Sequence, residues 1–153
     1  MTMSAIDKIT RKARRIRNGS DKIEQGQPVL MSEAAAVDDY VRQGDLYVIV
    51  AEGIPTNFKA VVTPNDTDKQ LVPGSTQGAR HCLDSLDGVA LYRPQGWGPD
   101  YDDLDGPAFV LSESRTVLHP THGRVTIPAG FTIRCRYQRE WDAEQRRERR
   151  NAD

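Results

Sequence analysis

From residue 45 onward, short apolar stretches are separated by polar segments that contain glycine and proline. Leu46–Val50 is rich in β-branched and aromatic residues, which is typical of a strand. Further strands are predicted at Lys59–Thr63, Arg80–Leu83, Val89–Tyr92, Ala108–Ser112, Arg115–Leu118, Arg124–Ile127 and Phe131–Tyr137. Short strands separated by Gly/Pro turns predict a mainly β fold, a small antiparallel sandwich or barrel, rather than a parallel α/β sheet.

The last two of these strands flank the sequence Pro128-Ala129-Gly130. Proline fixes φ at the first central position of a turn, and glycine tolerates a positive φ near its end. The pattern therefore predicts a tight turn in which Gly130 has a positive φ.

A different periodicity characterises the N-terminal segment. Ser4 is a suitable N-cap, and the stretch Asn18-Gly19-Ser20 predicts the end of a helix. The apolar residues between them recur at spacings of three and four and form one narrow stripe: Ile6, Ile9, Ala13 and Ile16. Such a helix is marginal alone and gains stability by packing its stripe on a surface, either that of its own domain or that of a neighbour.

Length and composition fit one globular domain with appended ends. The 153 residues are enough to bury a core. We predict a basic N-terminal arm and linker at residues 1–41, with a short helix near Glu33–Val41. A β domain follows at 42–141, and residues 142–153 form a polar tail with a short C-terminal helix.

Charge is divided unevenly along a chain whose net charge is −1. Residues 1–22 contain seven Lys and Arg residues but only two Asp, whereas the loop at 100–105 contains four Asp. Segments of opposite charge favour association between copies or with a partner. The candidate partner-binding residues are Lys8, Arg11, Lys12, Arg14, Arg15 and Arg17 in the arm, and Asp100, Asp102, Asp103 and Asp105 in the loop.

Several functional classes find no support in the sequence. It contains no apolar run near the roughly 20 residues that a bilayer requires, and no secretory signal. The nucleotide-binding, serine-hydrolase and HExxH motifs are absent. With only Cys82 and Cys135, a disulfide framework is not expected. These features predict a protein that is cytoplasmic, or part of an intracellularly assembled particle such as a virion.

The three histidines are the candidate metal ligands. His119-Pro120-Thr121-His122-Gly123 has the pattern of a turn, which would bring His119 and His122 within reach of each other. With His81 from another strand, and a carboxylate such as Glu113, they would suit Zn²⁺, Fe²⁺ or Mn²⁺. The alternative is that the histidines serve the structure, one of them by capping a turn.

Several motifs in residues 42–150 resemble those of a group of small uncharacterised bacterial and phage-type proteins. They are Arg42-Gln43-Gly44-Asp45, Gly74 to His81, His119-Pro120-Thr121-His122-Gly123, Ile127-Pro128-Ala129-Gly130 and Tyr137-Gln138-Arg139-Glu140-Trp141. The group tends to have His-Ala-His where this chain has Ala79-Arg80-His81, so the resemblance implies that one histidine of four is missing. It implies a shared fold and no particular activity.

Three functions are therefore open. The first is a non-enzymatic binding or assembly protein that docks its basic ends onto neighbouring subunits or a nucleoprotein particle, for example as a capsid-associated accessory protein and homo-oligomer. The second is a cupin-like metal-dependent enzyme or small-ligand binder that uses the three histidines. The third is a sequence-independent nucleic-acid binder that contacts phosphates through its N-terminal arginines.

Overall fold

The computed structural model describes residues 19–72, 81–96, 102–142 and 147–150. Within this part of the chain, residues 19–24 are helical and Asp66–Lys69 form a 3₁₀ helix, and none of its helices has the length and apolar character needed to cross a membrane. Its strands are β1 (Val29–Leu30), β2 (Tyr40–Gln43), β3 (Leu46–Val50), β4 (Phe58–Ala60), β5 (Cys82–Leu83), β6 (Val89–Pro94), β7 (Asp105–Leu111), β8 (Arg115–Leu118), β9 (Val125–Ile127), β10 (Thr132–Tyr137), β11 (Arg139–Asp142) and β12 (Arg147–Arg150).

Two sheets enclose the hydrophobic core. The larger has the order β2-β3-β10-β7-β6-β4 and is antiparallel throughout, and the smaller has the order β1-β9-β8-β5 with a parallel β1–β9 pair. Leu46 and Ile133 from the larger sheet and Val117 and Ile127 from the smaller one are buried in a single cluster. The predicted mainly β sandwich is confirmed.

Along strands such as β3 and β10, every second side chain is buried, and this explains why they form where the sequence predicts them. In β10, Ile133, Cys135 and Tyr137 are buried while the residues between them are partly exposed, as expected of strands with one face on the core. The predicted bounds of β3 and β8 are confirmed, and the other predicted strands that the structure describes overlap observed ones with shifted ends. Gly130 has φ +94°, which confirms the predicted turn before β10.

Residues 19–41 pack against the sandwich. Ile23 is fully buried and Met31 is 5% exposed, and both belong to the core cluster. Ser20 Oγ accepts a hydrogen bond of 3.2 Å from the backbone N–H of Arg42. This anchoring explains why Gly19 and Ser20 are helical although the sequence predicted the helix to end there.

The prediction of a short helix near Glu33–Val41 is wrong. Turns occupy the segment until β2 begins at Tyr40, and the Asp39 carboxylate accepts a hydrogen bond of 2.8 Å from the backbone N–H of Ala36. Residues 1–18, which carry the predicted basic helix, lie outside the described residues. The arm boundary at residue 41 stays a prediction.

The predicted C-terminal helix is also wrong where the structure describes the tail. β11 and β12 pair antiparallel, with Glu140 opposite Arg149 and Asp142 opposite Arg147. Good helix formers predicted a helix here, but intrinsic propensity is a weak preference when no apolar face supports it. Pairing the two segments as strands satisfies their backbone hydrogen-bonding groups without an apolar helix face.

The loop after β8 closes tightly on the segment that leads into β1. The backbone N–H of Gly123 donates to the Ile23 carbonyl at 2.9 Å. A Cβ at position 123 would lie 1.9 Å from the Gln27 carbonyl oxygen, far inside van der Waals contact. Only glycine fits here without moving the backbone.

We therefore expect Gly123→Ala to lower the free energy of unfolding by about 3 kcal/mol, because one of two backbone segments must shift. Gly53→Ala is the control, since a Cβ at position 53 would have no neighbour within 4 Å, and it should change stability by less than about 0.5 kcal/mol. Urea unfolding measures both variants, and equal midpoints would contradict the packing described.

Candidate functional site

The fold brings the three predicted histidines together in what we call the histidine cluster: His81, His119 and His122. The ring centroids of His81 and His119 are 4.6 Å apart, and those of His119 and His122 are 4.4 Å apart. His81 directly precedes β5, while the other two lie in the loop that follows β8. Because β5 and β8 are paired strands, the loop that follows β8 lies next to the start of β5. His119 and His122 therefore lie beside His81.

Gln43 is the buried group that orients His81. Its Nε2 donates hydrogen bonds to the carbonyls of Val117 at 3.1 Å and Gly123 at 2.9 Å. The remaining amide atom, Oε1, can only accept, and it lies 2.9 Å from His81 Nδ1. Nδ1 of His81 therefore carries a proton and donates to Gln43.

The other ring nitrogen of His81 faces a carboxylate. Nε2 lies 3.1 Å from Asp45 Oδ1, and the two side chains are 0% and 4% exposed. This is ion-pair distance, and the contact is a buried ion pair when both ring nitrogens of His81 carry a proton. His81 also has φ +48°, an uncommon value for a residue other than glycine, which the surrounding contacts must maintain.

The hairpin between β2 and β3 places both partners of His81. Gln43 and Leu46 are paired, so Gly44 and Asp45 form a two-residue loop. Gly44 has φ +58°, which suits the first central position of a type II′ turn. The turn places the amide of Gln43 and the carboxylate of Asp45 where each contacts a different ring nitrogen of His81.

His119 has a different role in the cluster. Its Nδ1 accepts hydrogen bonds of 3.1 Å from the backbone N–H groups of Thr121 and His122. This nitrogen is consequently unprotonated, and the imidazole caps its own turn. His122 is half-buried, and its ring packs on that of His119.

This hydrogen bonding determines which imidazole nitrogens are available as metal ligands. Both nitrogens of His81 and Nδ1 of His119 serve protein groups, and Glu113, the expected fourth ligand, forms an ion pair of 3.0 Å with Arg115. Among the residues that the structure describes, no group of three or more His, Cys, Asp or Glu side chains has the geometry of a metal site. In this arrangement the cluster works as a polar core that fixes a loop.

A second feature is an apolar groove between the edge strands β1 and β2, here called the edge groove. It has a volume of about 120 Å³, and its walls include Gly19, Val29, Met31 and Val41. Close by, large apolar side chains are open to solvent: Leu30 is 70% exposed, Val37 45% and Tyr40 36%. Exposed apolar groups gathered at one site are typical of surfaces that bind other molecules.

The acidic loop is largely engaged within its own chain. Asp105 is buried and accepts hydrogen bonds from Arg134 at 2.7 Å and Arg136 at 2.9 Å, and Asp102 accepts one from Arg136 at 3.0 Å. Asp103 is exposed. The remaining candidate partner-binding residues lie outside the described part of the chain: Lys8, Arg11, Lys12, Arg14, Arg15, Arg17 and Asp100.

Comparison with known proteins identifies the family. A family model matches residues 42–138, well over half of the chain. The chain belongs to that family, DUF8820, a domain of unknown function. Comparisons with curated proteins and with solved structures gave no match.

Family membership agrees in coarse terms with the expected uncharacterised group, whose bacterial or phage-type character stays a prediction. The DUF8820 region contains Gln43, Asp45 and the whole histidine cluster, so the polar core belongs to the shared module. The edge groove lies outside the matched region, because the residues that line it run from Gly19 to Val41 and the region begins at Arg42.

Sequence reasoning found the histidines but gave Gln43 and Asp45 no role. Both were noted only within the Arg-Gln-Gly-Asp motif of the resemblance. A stronger signal was available: a hairpin glycine between a polar strand residue and an aspartate, preceding a strand of buried apolar residues. A polar side chain beside such a strand must find buried partners.

We expect His81→Ala to lower the free energy of unfolding by about 3 kcal/mol, because Gln43 Oε1 loses its hydrogen-bond partner and the buried Asp45 carboxylate loses its contact with the imidazole. His122→Ala is the control and should cost less than about 1 kcal/mol, since it removes only a half-buried ring contact. Urea unfolding gives both values.

His81→Asn separates the two causes of destabilisation in that experiment. Asparagine tolerates positive φ better than alanine does, so a similar loss in both variants assigns the effect to hydrogen bonding. A different result would contradict the structural role of the cluster: Zn²⁺ raising the melting temperature of the native chain, with the rise abolished equally by His81→Ala and His122→Ala.

Proposed function

We propose that this protein is a non-enzymatic binding and assembly protein, a β sandwich that joins neighbouring subunits through its edge and its basic N-terminal segment. The observation that supports this function most is the edge groove, with Leu30, Val37 and Tyr40 exposed around it. Burying such side chains against a partner gains free energy of about 25 cal/mol per Å² of apolar surface.

The composition of this surface favours a protein partner. Tyrosine is enriched in the cores of protein interfaces, and the ring of Tyr40 packs edge-on against that of Tyr47 at 5.5 Å. A preordered aromatic pair loses little conformational entropy on binding, which raises its value as an anchor. The nearby Arg42 is held by an ion pair with Glu24, so it offers a nucleic acid no unneutralised cation.

The hydrogen bonding of the histidine cluster supports the same proposal. Its polar groups connect β2, the approach to β5 and the loop after β8, which gives them a structural role in the sandwich. A subunit of a larger particle needs a rigid fold with surfaces at its edges that bind other subunits, and it needs no catalytic site. An accessory role in a capsid or a comparable assembly would suit such a body.

We expect the full chain to form an oligomer whose mass, measured by size-exclusion chromatography with light scattering, exceeds the 17.1 kDa of one chain. Leu30→Asp should lower the affinity between subunits at least tenfold and shift the population toward monomer, because it places a charge in the apolar contact. The matched control is Val62→Asp, which changes a side chain that is 91% exposed and away from the groove.

The folded state of both variants is verified by their circular dichroism and urea midpoints. The proposal is contradicted if the full chain is monomeric at every concentration, or if Leu30→Asp and Val62→Asp have the same effect on mass.

A further inference from the structure

We propose that the edge groove is the docking site for the N-terminal segment of a second copy of this chain, in which one isoleucine of the stripe Ile6, Ile9 and Ile16 enters the groove, the other two pack on the apolar surface around it, and the basic residues face the acidic rim. This inference rests on the proposed assembly function and names the surfaces that would meet.

The groove matches the segment in size and polarity. Its volume of about 120 Å³ is close to the ~150 Å³ of a cavity that accepts benzene, so it has room for one branched aliphatic side chain. Val29, Met31 and Val41 give it apolar walls. The narrow stripe of isoleucines supplies single side chains at helical spacing, and a surface is what a stripe of that kind needs for stability.

Charge favours the same occupant. Residues 1–18 contain six Lys and Arg residues against one Asp, whereas residues 19–41 contain five Asp and Glu residues against one Lys. Glu33 and Asp38, which neighbour the groove residues Ser32 and Asp39, are both exposed. A cationic segment laid in the groove would therefore meet carboxylates at its rim, which adds specificity to an apolar contact.

The position of Gly19 favours a second copy over the chain's own segment. A Cβ on Gly19 would lie 3.9 Å from Val29 and 4.0 Å from Val41, so the chain itself forms one wall of the groove at this point. Because Gly19 and Ser20 are helical, a segment that filled its own groove would have to reverse direction before residue 19. Two copies related by a twofold axis could each fill the other's groove, and the contact would form twice.

Cross-linking between two chains that each carry one reactive cysteine tests the contact directly. Both chains carry Cys82→Ser, because Cys82 is only half-buried. Cys135 can stay, since it is fully buried and burial raises the pKa of its thiol to about 12, which keeps it protonated and unreactive at neutral pH. One chain then carries Leu30→Cys at the groove and the other carries Ile6→Cys, Ile9→Cys or Ile16→Cys.

A short bismaleimide should link the Leu30→Cys chain to at least one of the three partner chains, and mass spectrometry should identify the joined peptides. Val62→Cys, at a position that is more exposed than Leu30 but distant from the groove, should yield less than a tenth of that product. A full chain carrying both Leu30→Cys and Ile9→Cys is then cross-linked under dilute conditions, and we expect it to form covalent dimers.

Each other outcome overturns the inference in a recognisable way. A link formed within one chain at all dilutions would make the chain's own segment the occupant. No link at any of the three positions, while Leu30→Asp still dissociates the oligomer, would leave the assembly function standing with a different surface in the groove. No link and no oligomer would end both proposals.

Discussion

The hydrogen bonds of the Gln43 side-chain amide fix the position of the two sheets relative to each other. It projects from β2 of the larger sheet and donates to Val117 in β8 of the smaller one, while it also holds Gly123 and His81. A buried amide without partners costs several kcal/mol, so any packing of the sheets that separates these groups is penalised. Apolar contacts alone tolerate sliding, but four groups that must meet at about 3 Å permit only one register.

The same network reaches the N-terminal side of the molecule. His119 caps the turn that precedes Gly123, and Gly123 in turn donates to the Ile23 carbonyl. Ile23 fills the core beneath the helical residues 19–24, the first of which forms a wall of the edge groove. A buried polar core and an exposed apolar groove are thus parts of one continuous set of contacts, and the shape of the groove depends on how the histidine cluster holds its loop.

Strands and turns were predictable here because their signals are local. The β-branched and aromatic residues of Leu46–Val50 and a proline-glycine turn ending at Gly130 each determine structure within a few residues. The identity of His81's partners was not predictable, since Gln43 and His81 meet only after non-neighbouring strands have been assembled. The C-terminal prediction failed for a related reason: helix propensity is counted within one segment, whereas the pairing of β11 with β12 depends on two.

Residues 19–41 precede the region that the family model matches, but they are part of the fold. The matched region begins at Arg42, yet β1, Ile23 and Met31 complete the core and the smaller sheet from outside it. β1 covers the edge of β9 through a parallel pairing of only two residues, with Leu30 turned to solvent. A two-residue strand protects an edge from unlimited pairing with other chains. The apolar surface beside β2 is lined by residues of β1 and β2 and by Gly19 of the helical residues, so in the proposed assembly it would be recognised by shape and charge rather than by strand pairing.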